Sequence, residues 1–186
     1  MCNNYLFVIE GVDGVGKSTV LHLLAKKLDA IAIEMPDGVW RKYRHIVEDA
    51  NPTIRFLYYV LANQFASFSI RKFLRKKHVI CGRFIHSTKA HHIIYGCHIS
   101  RFFPLWLIAN KQPDFVYYLT ASKQEREMRI SERKKNNIKD LDSKTLEKID
   151  KVFRSLPCMI KIDTTHLNAE EVSNVIFLDI KRKISM

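Results

Sequence analysis

The chain of 186 residues carries 31 Lys and Arg against 19 Asp and Glu, a formal net charge of +12, and 47% of it is hydrophobic. That length suits one domain with a sizeable core, and no run of about 18 uncharged apolar residues or basic-then-apolar leader is present, so a cytoplasmic protein without a membrane partner is expected. Cys2, Cys81, Cys97 and Cys158 are scattered without a Cys-x-x-Cys pair, which argues against a zinc framework or a disulfide scaffold.

In chain order, Tyr5 to Ile9 is an apolar β-rich run entering a glycine turn, as a buried parallel strand does before a helix. Val20 to Leu28 continues as that helix, with Val20, Leu23, Leu24 and Leu28 on one face. Ala30 to Ile33 is a second strand, closed by the turn Pro36-Asp37-Gly38. From Pro52 to Lys77, Ile54, Leu57, Tyr58, Leu61, Phe65 and Phe68 recur at three- and four-residue steps, which predicts a long amphipathic helix. His78 to Cys81, Phe115 to Leu119 and Met159 to Ile162 complete the strands. The last helix opens on Asn168 as N-cap with Glu171 three residues on, and ends in Lys181-Arg182-Lys183. Strands alternating with helices predict a parallel sheet covered on both faces, in one domain spanning residues 1–186.

The segment Gly11-Val12-Asp13-Gly14-Val15-Gly16-Lys17-Ser18 has the spacing G-x-x-x-x-G-K-S between a strand and a helix, the context this phosphate-binding loop requires. Its glycines let successive N–H groups aim at phosphates, and the helix that follows adds its positive N-terminal end. Lys17 is expected at the terminal phosphates of ATP, and Ser18 with Glu10 is expected to serve Mg²⁺. The excess positive charge suits a nucleotide partner, whereas the basic cluster Arg71 to Lys77 reads as a solvated helix end rather than a nucleic-acid surface.

With Phe7-Val8-Ile9-Glu10-Gly11 through Lys17-Ser18-Thr19 in hand, the chain resembles the thymidylate kinase family of nucleoside monophosphate kinases. Val79-Ile80-Cys81-Gly82-Arg83-Phe84-Ile85-His86-Ser87-Thr88 is similar to the family's Asp-Arg-Tyr segment, and Pro113 to Leu119 to its fourth strand. The resemblance implies a three-layer P-loop fold with a five-stranded parallel sheet, a short basic lid at about 133–142, and γ-phosphoryl transfer from ATP, most often to dTMP. It implies catalytic roles for Lys17, Asp13, Arg83 and Arg133. It also implies ATP contacts from Gly11 to Thr19 and Arg129, and acceptor contacts from Tyr59, Gln64, Arg83, Ser87, Thr88 and His92. It leaves a homodimer open.

Departures gather on the acceptor side. Gly82 stands where the family has an aspartate, so either the chain serves another acceptor or Glu10 and Asp13 orient the metal's waters themselves. Glu34-Met35-Pro36 stands for Arg-Glu-Pro, so a phosphate-binding cation is missing. The family's helical arginine falls at Asn63 or Gln64, and its base-reading glutamine at His92. Phe65 is read as core and Tyr59 is divided between core and base stacking. His86, His91, His92 and His98 match no metal-ligand spacing. Other classes compatible with the sequence are a kinase of a different small molecule, and a P-loop regulator or nucleic-acid-associated ATPase.

Overall fold

The computed structural model describes residues 4–134 and 142–184. Its centre is β1 (Leu6–Glu10), buried at every position. A strand with no solvated face needs a neighbour on each edge and a helical layer on each side. Around it the chain lays down α1 (Lys17–Lys27), β2 (Ile31–Glu34), α2 (Gly38–Glu48), α3 (Pro52–Leu74), β3 (Val79–Gly82), α4 (Ile85–Ile94), α5 (His98–Phe102) and α6 (Leu105–Ile108). There follow β4 (Phe115–Thr120), α7 (Lys123–Lys134), α8 (Ser143–Ser155), β5 (Ile160–Asp163) and α9 (Ala169–Ile184). The five strands run parallel in the order β2-β3-β1-β4-β5.

Alternation along β1 splits the core in two. Phe7 and Ile9 pack with Leu21 and Leu24 of α1, Tyr117 of β4 and Ile176 of α9. Leu6 and Val8 pack on the opposite face with Phe56 and Ile70 of α3 and Cys81 of β3. The expected capping box is present at α9: Glu171 N–H donates to Asn168 Oδ1 at 3.0 Å, and Asn168 N–H to Glu171 Oε2 at 2.7 Å. No helix among the described residues is long and apolar enough to cross a membrane.

Three sequence expectations change. α3 stops at Leu74, because Lys76 and Lys77 N–H both donate to Phe73 O in a closing turn. The segment after Gly38 is helical, not only a turn, and forms α2. Most importantly, Ile54, Leu57, Leu61, Phe65 and Phe68 do not face the core. They are exposed, from 45% for Leu57 to 59% for Phe68, while Phe56, Val60, Ala62 and Ile70 pack inward.

Glu10 closes β1 fully buried. Phe84 and Ser87 N–H donate to its Oε1 at 2.9 and 3.1 Å, and the Ser87 hydroxyl donates to its Oε2. It therefore caps α4, whose own N-cap residue, Phe84, supplies no side-chain bond. Glu10→Ala leaves these donors unpaired, and we expect a loss of about 3 kcal/mol of unfolding free energy. Chemical denaturation checks it, and an unchanged midpoint would remove this capping role.

Candidate functional site

The carboxyl ends of the strands are where ligands bind in open α/β sheets, and three cavities lie there. The largest, about 570 Å³, is lined by Asp13 to Val20, Arg83, Arg129 and the start of α9. Gly14 and Gly16 hold φ of 87° and 86°, which L side chains rarely adopt. A Cβ on Gly14 would stand 2.8 Å from Arg126 O, whereas one on Gly16 would meet nothing within 4 Å. Open space thus lies directly at the first turn of α1, whose N-cap makes no side-chain bond, and this is a fitting cradle for phosphate oxygens.

Lys17 is buried, with Nζ donating to Val12 O at 2.5 Å and lying 3.7 Å from Asp13. Asp13 also accepts from Arg83. Arg83 has φ of 60°, sparsely populated for a non-glycine residue, and its N–H donates to Ile9 O at 3.1 Å. Backbone strain of this kind persists where neighbours over-determine it. Gly11 and Val12 shape the loop from behind: a Cβ on Gly11 would lie 2.7 Å from Leu119 O. Arg129 lines the cavity and is fixed by donation to Glu125, to Thr164 Oγ1 and to Thr164 O.

A second cavity, about 430 Å³, brings together Tyr59, Arg83, Ser87, Thr88 and His92, with Asp13 also in its lining. Gln64 is not there. Its Nε2 donates to Leu107 O at 2.6 Å, and Asn63, one residue earlier on α3, faces the cavity instead. Arg55 also lines it, its guanidinium 3.8 Å from the centre of the Tyr95 ring. The third cavity, about 300 Å³, joins Lys17, Ser18 and Arg83 to Glu34, Arg41 and Arg44. Arg41 donates to Glu34 O at 2.7 Å and Pro36 O at 3.0 Å. These arginines of α2 restore positive charge near the turn where the sequence lacked it. The signal was present in the apolar spacing Val39, Tyr43, Ile46, which is helical.

Glu10 lines none of these cavities, since α4 occupies both its oxygens; this corrects its expected place at the metal. Glu34 and Asp13 each share a cavity with Ser18 and are carboxylates in reach of that region. Of the lid expected at about 133–142, residues 135–141 lie outside the described residues, as does the side chain of Arg133. No cluster of His, Cys, Asp and Glu able to hold a metal is found among the described residues.

A family model described as thymidylate kinase matches residues 9–176. A protein of Methanocaldococcus jannaschii named "Probable thymidylate kinase" is 33% identical over 187 residues, covering 95% of each chain. Human mitochondrial UMP-CMP kinase 2 is 30% identical over 142 residues, covering 67% of this chain and 30% of its own length. The solved thymidylate kinase of Candida albicans aligns with a TM-score of 0.75 at 18% identity, over 97% of this chain and 92% of its own, a likeness of fold.

Burial lowers His92 from 6.5 to about 4, helped by the positive charge of Arg55 and opposed by its bond to Thr88 O. Between those values the unfolded chain binds a proton there that the folded chain does not, so stability falls as pH drops from about 6.5 toward 4. One such histidine contributes a slope of at most about 1.4 kcal/mol per pH unit. Unfolding measured at pH 7, 6 and 5 should show His92→Gln losing less stability than wild type on acidification. Parallel pH curves for the two proteins would exclude His92 as a source of acid sensitivity.

Proposed function

The chain belongs to the thymidylate kinase family, and from that premise we propose that it transfers the γ-phosphoryl group of Mg·ATP to a nucleoside monophosphate, dTMP being the acceptor to which the family points. One observation carries the reading. Arg83 lines all three cavities, and Asp13 couples it to Lys17, so a donor cradle and an acceptor pocket meet at one pair of cations.

The chemistry suits that meeting point. Phosphoryl transfer asks for positioning and for stabilisation of charge spread over the moving group, rather than for covalent work by the protein. The α1 N-terminus and Lys17 hold the donor phosphates, Arg83 stands where the transferred group passes, and Arg41 and Arg44 draw in the acceptor phosphate. Ser18, with Glu34 in the same cavity, would hold Mg²⁺, which neutralises charge on the donor phosphates. Tyr59 and Phe84 supply ring faces to the acceptor side. The name of the human relative includes UMP and CMP, which supports an acceptor range wider than thymidylate.

We read the exposed stripe Ile54, Leu57, Leu61, Phe65 and Phe68 of α3 as the seam of a homodimer. Its steps of three and four residues repeat from Ile54 to Phe68 within the 23-residue helix, and a two-fold axis can set such a stripe against its own copy.

Lys17→Ala should lower kcat for ATP-dependent ADP release by about 10²- to 10³-fold while the protein stays folded, as loss of a transition-state cation does. Near-normal turnover in the folded variant would sink the kinase reading. Sedimentation should return a dimer for the wild type and a monomer for Leu61→Arg. A wild type that sediments as a monomer at tens of micromolar would remove the proposed seam.

A further inference from the structure

The acceptor cavity is lined in part by three interlocked side chains, Asn63 of α3 with Thr88 and His92 of α4. Asn63 and His92 are each only 2% exposed. Asn63 Nδ2 donates to Tyr59 O at 2.8 Å and to Thr88 Oγ1 at 2.7 Å. His92 Nδ1 lies 2.6 Å from Thr88 O. A backbone carbonyl can only accept. The Tyr59 contact therefore fixes which end of the Asn63 amide is nitrogen, and the Thr88 carbonyl fixes the proton on His92 Nδ1.

What remains is one-sided. Asn63 Oδ1 and His92 Nε2 are buried and have no hydrogen-bond partner among the described residues, and with the amide and ring so fixed both are acceptors. His92 stays neutral at physiological pH because burial lowers it to about 4, so Nε2 keeps its lone pair. Thr88 Oγ1, having accepted from Asn63, retains a proton to donate. Buried acceptors are ordinarily satisfied, and two bare ones in side chains that line a cavity call for a ligand that brings donors.

We propose that Asn63, His92 and Thr88 read an acceptor base bearing an exocyclic amino group beside an unprotonated ring nitrogen, as cytosine does. The two amino hydrogens of cytosine N4 serve Asn63 Oδ1 and His92 Nε2, and N3 accepts from the Thr88 hydroxyl. Thymine reverses both features: its O4 brings a third acceptor to the bare acceptors, and its N3 carries a proton. The cavity thus selects cytosine nucleotides over the acceptor for which the family is named. Adenine presents the same pattern through its N6 amino group and N1, so the shared chemistry is the amino edge. The proposal rests on the phosphotransfer reading above, and it adds the identity of the base.

The test is kcat/KM of the wild type for dCMP, dTMP, dUMP and dAMP with Mg·ATP, joined to calorimetric Kd values for the same four without ATP. We expect dCMP to exceed dTMP and dUMP by about tenfold or more in both, since a site built to pair a polar group rejects a ligand that leaves it unpaired. dAMP above dCMP would assign the amino edge to a purine and still support it. dTMP or dUMP equal to dCMP, or better, overturns the proposal. Absence of turnover with every acceptor, while the Kd preference for dCMP holds, would overturn the phosphotransfer reading and leave the base readout standing. In His92→Gln the amide can turn its NH₂ toward a carbonyl, so the dCMP to dTMP ratio should fall about tenfold; an unchanged ratio overturns the role of His92. Should that variant not fold, the wild-type ratios decide alone.

Discussion

A single buried carboxylate holds the two halves of this molecule in register. Glu10 ends the central strand immediately before the phosphate loop, and its oxygens are taken by the N-terminal turn of α4. The loop leads into α1 and the donor cradle, while α4 carries Ser87, Thr88 and His92 of the acceptor wall. A carboxylate in a dry interior is tolerated only where donors surround it, and a helix N-terminus offers both N–H groups and a positive end. The contact therefore joins two elements at once: the helix gains its cap, and the cavity lined by Ser87, Thr88 and His92 is set at a fixed distance from the glycine-rich loop.

Charge around that frame follows a consistent logic. Asp13 lies between Lys17 and Arg83 and offsets two cations that would otherwise repel each other across the cleft. Arriving phosphates bring the same kind of oxygen ligand with more charge, so they compete for these cations on favourable terms. The unusual φ of Arg83 belongs to this arrangement, because its N–H is held by Ile9 O while its guanidinium reaches Asp13. Arg41 and Arg44 extend the positive rim from α2.

Much of the fold was legible because its signals are local. Each strand was found within a residue of its place, and the capping box at Asn168 and Glu171 could be read from two letters. The phosphate loop was equally plain, since glycine spacing, lysine and serine serve one geometry. What escaped was relational. Periodicity identified α3 but could not say which of its faces meets the sheet, and Phe65 proved exposed. The choice between Asn63 and Gln64 depended on helix phase, which packing sets. Glu10 looked like a metal residue because of its position in the chain, and only the tertiary contact with α4 gives it another occupation.

Gly82 shows the same point at the level of a single atom. A Cβ there would stand 2.8 Å from Leu21 Cδ1, and Leu21 is fully buried between α1 and the sheet. An aspartate at this position would have to displace that methyl group, so glycine and Leu21 form one packing solution. The register places Glu34 of β2 beside Gly82, and Glu34 lines the cavity that holds Lys17, Ser18 and Arg83. Its carboxylate already lies 3.7 Å from both His22 and Arg41, which keep it at the strand end. The cavity thus keeps an acidic group although β3 ends without one, because moving the carboxylate to the neighbouring strand leaves Leu21 its place in the core.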